Sequence, residues 1–167
     1  MSHSSASPRA YFTVTLVAAV TASLAAASAL ALGLPVWAMF IGWIAFFTRG
    51  LTTRSTLENL GCVWLGMTIG AIAAAVTGLL APTTGPLLAV PLVVFGVALL
   101  VVSLRGLPVL NNLLSYFLGL VAWFAAHLEP SLESLQHLAS ASTLGSFAGW
   151  LSHHAPKRLL TTAASPH

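Results

Sequence analysis

The chain has 167 residues, of which 57% are hydrophobic and only 5% are charged. This excludes an ordinary soluble domain, in which about a quarter of the residues are charged. Six basic and three acidic side chains give a net charge of +3, too little basic surface for a nucleic-acid partner. The single cysteine excludes an internal disulfide and a C-x-x-C metal site. We therefore expect a membrane protein whose main partner is the lipid bilayer.

Six apolar runs follow one another along the chain, at residues 10–32, 35–48, 60–81, 86–104, 111–127 and 130–152. A helix needs about 20 mostly apolar residues to cross the hydrocarbon core, and four of the runs have that length. The second and fifth runs are shorter and rich in aromatic residues, so each is either a tilted short span or a half-entering segment. We predict an all-α membrane protein with six transmembrane helices.

The first run also has features of a secretory signal peptide, with small residues near ASALA that could form a cleavage site. Its apolar part exceeds the roughly 7–15 residues found in the core of such signals. A retained membrane helix is therefore the favoured interpretation, and cleavage is the alternative.

The basic residues test this topology, because the cytoplasmic loops of membrane proteins collect lysine and arginine. With the N-terminus inside, six crossings place all of them on the cytoplasmic side: Arg9, Arg49, Arg54, Arg105, Lys157 and Arg158. One outer loop (APTTGP) then has no charge, and the other (HLEPSLES) has only glutamates and a histidine. We predict that both termini lie inside.

One phrase occurs in both halves of the chain. GLPV stands at residues 33–36 and again at 106–109, and FIG and AFF within 40–47 match FLG and AWF within 117–124 after a four-residue insertion. At an offset of 75, Gly66 and Gly70 match Ala141 and Gly145. These matches indicate a structural repeat, although apolar sequences also align by chance.

The repeat divides the chain into residues 10–81 and 86–155, with three helices each. The tails 1–9 and 156–167 are expected to be disordered. Because three is an odd number, the two halves enter the membrane from opposite sides. The prediction is a 3+3 inverted-topology repeat, an arrangement used by many transporters, in which the solute site lies near the midplane between the halves.

Short or Gly/Pro-interrupted segments at matching positions of the two halves are the best sequence indicator of such a site. The predicted solute path consists of Phe40, Gly42, Phe46, Asn111, Asn112, Phe117, Gly119 and Trp123. The structural alternative is that the aromatic residues form interfacial belts or pack between helices. Likewise, asparagine is a favoured N-cap, so the two asparagines could cap the fifth helix.

Charged and titratable side chains near the helix ends could line the mouths of a path. The candidates are Glu58, Glu133 and His127, and the two glutamates occupy matching places in the two halves. The structural alternative is that each glutamate interacts with the dipole of a helix from its first turn. Ser55 and Glu58 also have the spacing of a capping box.

Small residues spaced four apart are typical of closely packed membrane helices. Two such faces occur in the chain, Gly66 with Gly70 and Gly145 with Gly149. We expect these faces to pack against other helices and to support a homo-oligomer.

The sequence contains no Ser-His-Asp set, no H-E-x-x-H motif and no paired acids within the apolar runs. We expect no enzyme activity, no metal and no cofactor. The leading hypothesis is a channel or transporter for a small neutral or weakly polar solute, since the scarcity of charge in the spans disfavours a proton-driven pump. The alternative is a non-transporting scaffold or accessory subunit. A polar path through the interior would favour the first hypothesis, and a dry packed core the second.

Two segments carry a resemblance to a known family: WAMFIGWIAFF with the Gly-rich run after it, and YFLGLVAWFAA with the run that contains Gly145 and Gly149. In aromatic and glycine spacing, residues 36–150 resemble the domain of unknown function 1097 family, the YcdZ-like bacterial inner-membrane proteins. The resemblance implies a small multi-pass protein of the bacterial inner membrane without an assigned activity. It assigns no functional residues.

Overall fold

Six α-helices make up the part of the chain that the computed structural model describes, which is residues 8–163 without the side chains of residues 9 and 158–163. They are α1 (Pro8–Ala31), α2 (Val36–Thr48), α3 (Thr53–Thr84), α4 (Pro86–Ser103), α5 (Leu113–Ala126) and α6 (Leu132–Ala163). A short 3-10 turn, Leu104–Gly106, follows α4. No strand occurs within residues 8–163, so the all-α prediction is confirmed.

The helices agree with the predicted runs except at their ends. α6 continues through Pro156 to Ala163, so the expectation of a disordered tail from residue 156 onward is wrong for residues 156–163. A proline inside a helix removes one backbone hydrogen bond, and here Pro156 is buried against the bundle, where packing offsets that loss. Residues 1–7 and 164–167 of the predicted tails lie outside the described residues.

Among the described residues, three helical segments are long and apolar enough to cross a membrane: Ala10–Ala31, Thr53–Thr84 and Pro86–Gly106. Two shorter apolar helices, Val36–Thr48 and Leu113–Ala126, correspond to the predicted short runs. At about 1.5 Å per residue, each short helix is roughly 20 Å long, whereas the hydrocarbon core is about 30 Å thick. Six full crossings therefore stay a prediction.

The helices form two bundles of three. In the first, α1 and α2 pack on α6, and in the second, α4 and α5 pack on α3. Each bundle thus combines helices from both halves of the sequence. We call them the α1–α2–α6 bundle and the α3–α4–α5 bundle. Additional contacts join α3 to α2 and α6, and α5 to α2.

Within each bundle, the short helix runs parallel to its long partner. In the first bundle, Gly145 lies against the backbone of Met39. Further toward the C-terminal end of both helices, Gly149 lies against Phe46. The second bundle has the same progression, with Gly66 against Tyr116 and Gly70 against Trp123. Because α2 is antiparallel to α3, which it joins through a short loop, α2 and α5 run in opposite directions.

The surface is far more apolar than that of a soluble protein. Large apolar side chains face outward on most helices, and Leu79 and Leu87 are 78% and 89% exposed. The interior instead contains fully buried polar residues, among them Asn59, Ser115 and Ser142. Exposed apolar surface on this scale marks contact with lipid or with another protein. Together with the apolar helices, it indicates a membrane protein.

Candidate functional site at the joint between the bundles

A group of hydrogen-bonded side chains fastens the two bundles at one end of the molecule. It lies where α2 ends and where α3 and α5 begin. We call it the polar joint, and it consists of Thr48, Arg49, Glu58, Asn59, Asn111, Asn112 and Ser115.

Asn59 is the centre of the polar joint and is fully buried. Its side-chain amide donates to the backbone carbonyl oxygens of Ala45 and Arg49, at 3.1 and 2.9 Å. Its side-chain oxygen accepts from the amide of Asn112 at 2.8 Å. One side chain therefore binds the end of α2 to the start of α5.

Asn112 has two roles in the joint. Its side-chain oxygen accepts from the backbone N–H of Ser115 at 3.4 Å, so it is the N-cap of α5, as the structural alternative in the sequence proposed. Its amide nitrogen donates to the Thr48 hydroxyl at 2.6 Å. The hydroxyls of Thr48 and Ser115 are themselves 3.2 Å apart. Buried polar groups in a membrane need such partners, and here each has one.

An ion pair covers the outer side of the joint. The Arg49 guanidinium donates to the side-chain oxygen of Asn111 and lies 3.3 Å from a carboxylate oxygen of Glu58. The second oxygen of Glu58 lies 2.9 Å from Nε of Arg54, one helical turn away. Glu58 is thus held by two arginines, one from the end of α2 and one from its own helix.

The start of α3 differs from the prediction. The capping box is made by Thr52 and Ser55. The Thr52 hydroxyl accepts from the backbone N–H of Ser55 at 3.1 Å, and the Ser55 hydroxyl accepts from the backbone N–H of Thr52 at 2.9 Å. The predicted pairing of Ser55 with Glu58 is therefore wrong. The helix begins one turn earlier than that pairing requires, which leaves the Glu58 carboxylate free for the arginines.

The predicted path residues divide between the core and the surface. Gly42 and Gly119 are buried at helix crossings, where an added Cβ would overlap the carbonyl oxygens of Ser142 and Val63. Phe46 and Trp123 fill the core and are 1% and 2% exposed. The predicted path residues therefore come together only in part, and several of them occupy the space that a path would need.

The remaining path residues lie elsewhere. Phe40 and Phe117 point outward, with 39% and 40% of their surface exposed. Asn111 and Asn112 belong to the polar joint instead. The core between the bundles is lined by small apolar residues such as Ala38, Ala45 and Ala122. This core is packed.

The helix faces that carry the small residues pack against other helices of the same chain. Gly66 and Gly70 face α5, and Gly145 and Gly149 face α2. These glycines allow helix backbones to approach closely, as their spacing predicts. Because their partners belong to the same chain, the four glycines are not available for contact with a second copy in this arrangement.

The predicted mouth charges occupy opposite ends of the molecule. Glu58 is in the polar joint, while Glu133 is exposed in the first turn of α6. His127 ends α5 in a left-handed conformation with φ of 50° and is exposed. Since α5 starts at the joint, its last residue lies at the other end, beside the start of α6.

A groove of about 300 Å³ lies between α3 and α6, where the two bundles meet on the outside. Its surface is almost wholly apolar, and it is lined by Thr53, Thr56, Leu57, Leu60, Thr143, Ser146, Phe147 and Trp150. The indole N–H of Trp150 donates to the Thr53 hydroxyl at 3.1 Å across the groove. The other hydroxyls donate to backbone carbonyls, and that of Ser146 is buried against Gly42.

Beyond the predicted span 130–152, His153 lies next to the core. Its ring centroid is 5.8 Å from that of Phe46, and its Nε2 is 2.9 Å from Nζ of Lys157. Partial burial, followed by the nearby charges of Lys157 and His154, lowers the pKa of His153. The shift favours the neutral form of the imidazole.

Sequence reasoning does not single out Thr48, Asn59 and Ser115, nor the hydroxyl groups of the groove. For Asn59 a signal exists, because an amide at the start of an apolar run must find partners when it is buried. The identity of those partners depends on the pairing of helices from different halves, which the local sequence does not contain.

Comparison with known proteins gives one match. The model of a family described as "Protein of unknown function (DUF1097)" matches residues 15–157. No curated protein and no solved structure matches the chain. The match covers all six helices except the ends of α1 and α6.

Proposed function

The chain belongs to the DUF1097 family, whose function is unknown, and we propose that it is a six-helix membrane protein whose two bundles separate to let a small neutral or weakly polar solute pass. The observation that carries the proposal is the polar joint. Within the described residues, the side-chain hydrogen bonds between the bundles lie at this one end, and apolar side chains form the core of the rest of the interface. Because the rest of the described interface lacks such bonds, the polar joint is the barrier that must open for the bundles to separate.

The burial pattern supports an inverted repeat as the basis of this movement. At an offset of 77 residues, buried positions of α2 match buried positions of α5, and the outward-facing phenylalanines also match. The buried pairs are Ala38 and Ser115, Met39 and Tyr116, Gly42 and Gly119, Ala45 and Ala122, and Phe46 and Trp123. The opposite directions of α2 and α5 are those that an inverted repeat requires.

The positions of the basic residues support an orientation with both termini inside. Arg49 and Arg54 lie at the joint, and Trp150 binds Thr53 there, so the end of α6 with Lys157 is at the same end. Cytoplasmic ends collect such residues. We place this end in the cytoplasm and the protein in the bacterial inner membrane, with no enzyme activity.

The groove between α3 and α6 supports the solute class. Its lining is almost wholly apolar and carries no charged side chain. A small neutral molecule fits this lining better than an ion. The groove also lies on the boundary along which the bundles would separate.

The proposal is tested by flux into liposomes. Vesicles with the purified protein and vesicles without it are placed in gradients of glycerol or urea, and swelling is followed by light scattering. We expect faster swelling with the protein. Thr143→Trp, which fills the groove, should reduce the rate, whereas Thr68→Trp places the same bulk on an exposed part of α3 and should not. Equal rates for protein-containing and empty vesicles with every solute would refute the proposal.

The packed core favours a second candidate, a non-transporting scaffold or accessory subunit. Trp123 lies in the core cluster where the bundles meet, and Phe46 is buried against α6, as expected of a static unit. Since the predicted glycine faces are used within the chain, association with a partner would involve the outward surface. A negative flux panel together with an assembly larger than one chain on a sizing column would favour this candidate.

A further inference from the structure

A second groove lies on the side of the α3–α4–α5 bundle, away from the boundary between the bundles. Its volume is about 560 Å³, and α3, α4 and α5 all contribute to it. The walls are apolar and include Ala73, Val94, Val97, Phe117 and Phe124. The one hydroxyl, that of Thr77, donates to the carbonyl of Ala73 at 2.8 Å. The groove therefore offers no hydrogen-bond donor and fits an unbranched apolar chain.

The matching side of α2 carries a larger side chain. Leu120 in the groove corresponds to Trp43 in the first half of the sequence. Trp43 packs against a cluster that contains Ala25 and Ala29 of α1, together with Met39. In the α1–α2–α6 bundle, Trp43 and the small residues of α1 thus fill the region that corresponds to the groove. In the α3–α4–α5 bundle this region stays open.

The groove continues along α4 toward a positive charge. Ala98 lines it and also lines a neighbouring depression with Val102 and Arg105. Arg105 is exposed, and among the described residues it has no ion-pair partner, whereas Arg49 and Arg54 both pair with Glu58. An apolar channel that leads to an unpaired arginine is complementary to a molecule with an apolar tail and an anionic head.

The distances match one leaflet of a bilayer. From Arg105, the groove begins about 10 Å along α4 at Ala98 and ends about 22 Å away at Val90, at 1.5 Å per residue. Half of the hydrocarbon core is about 15 Å thick. An acyl chain whose phosphate contacts Arg105 would therefore enter the groove before the midplane and end inside it.

We propose that this groove holds one acyl chain of an anionic phospholipid whose phosphate binds Arg105. The site is independent of solute passage, because its lining is distinct from both the polar joint and the α3–α6 groove. A bound lipid there would contact α3, α4 and α5 together and would stabilise the least enclosed helix, α4.

The test uses the full chain in vesicles with spin-labelled phosphatidylglycerol or phosphatidylcholine. Electron paramagnetic resonance then gives the relative association of each lipid with the protein. We expect phosphatidylglycerol to be preferred about fivefold, the effect of one basic residue at the membrane surface. Arg105→Gln should abolish the preference, whereas Arg54→Gln, which removes the same charge from the same end, should leave it unchanged.

A second variant tests the apolar part of the site. Ala98→Trp should fill the groove and release the restricted lipid, while Leu88→Trp places the same side chain at an exposed position of α4 and should not. If Ala98→Trp fails to fold, the lipid preference of Arg105→Gln still tests the proposal. The proposal is overturned if the wild type does not distinguish the two lipids, or if Arg105→Gln and Arg54→Gln change the lipid preference equally. It is also overturned if Ala98→Trp changes the oligomeric state while lipid association stays the same.

Discussion

The crossing of α2 on α6 and the crossing of α5 on α3 use the same close contact between backbones but differ in polar bonding. At the first, the Ser146 hydroxyl donates to the carbonyl of Gly42 at 2.9 Å, within one bundle. At the second, Asn59 and Asn112 bind each other and also reach α2 in the other bundle. Close packing is thus a property of both crossings, whereas the side-chain hydrogen bonds between the bundles, except that of Trp150 with Thr53, come from the second one.

The largest effect is expected from the glycines that both crossings share. Gly42→Ala and Gly119→Ala each place a Cβ on a backbone carbonyl of the facing helix, so each should destabilise the fold by about 3 kcal/mol or more. Gly78→Ala is the matched control, because open space surrounds this position. Unfolding by SDS in mixed micelles measures the difference. If only one of the two variants is destabilised, the crossings are not equivalent.

A smaller effect is expected at the crossing that carries the joint. Asn59→Leu removes three buried hydrogen bonds, those to the carbonyls of Ala45 and Arg49 and that from the Asn112 amide, and the loss of buried bonds is costly. We expect a loss of about 2 kcal/mol in the same unfolding assay. The variant should also raise the rate of solute flux, because the fastened end is weakened. A stability equal to that of the wild type would show that the joint contributes little.

The smallest effect is expected at the other crossing. Ser146→Ala removes one hydrogen bond to Gly42, and such bonds between membrane helices are worth about 0.6 kcal/mol on average. Because this bond lies within one bundle, solute flux should not rise as it does for Asn59→Leu. A rise of similar size in both variants would argue against the joint as the link between the bundles.

The sequence predicts the helices and their close contacts well, because both depend on local patterns. Apolar runs define the six helices, and the four-residue spacing of Gly66 and Gly70 predicts that a neighbouring backbone comes close. The sequence does not reveal which helix that neighbour is. The chain pairs α3 with α5 and α2 with α6, and this pairing between halves is a tertiary property.

The candidate site was harder to predict than the fold for the same reason. Helical periodicity separates Phe46 from Phe40, but only the pairing of the bundles decides that Phe46 is in the core and Phe40 is outside. Asn112 is recognisable as a cap, whereas its bonds to Thr48 and Asn59 join residues far apart in the sequence. α6 continues beyond the predicted end of the sixth run, because burial of Pro156 outweighs the local tendency of proline to end a helix.

The most direct test of bundle separation is a reversible cross-link across the joint. The hydroxyl oxygens of Thr48 and Ser115 are 3.2 Å apart, so cysteines at both positions, with Cys62→Ser, are close enough for a disulfide after a small adjustment. In liposomes, we expect oxidation of Thr48→Cys/Ser115→Cys to stop glycerol or urea flux and a reducing agent to restore it. Each single variant should be insensitive to oxidation. Flux that continues unchanged through the fully cross-linked protein would contradict the account.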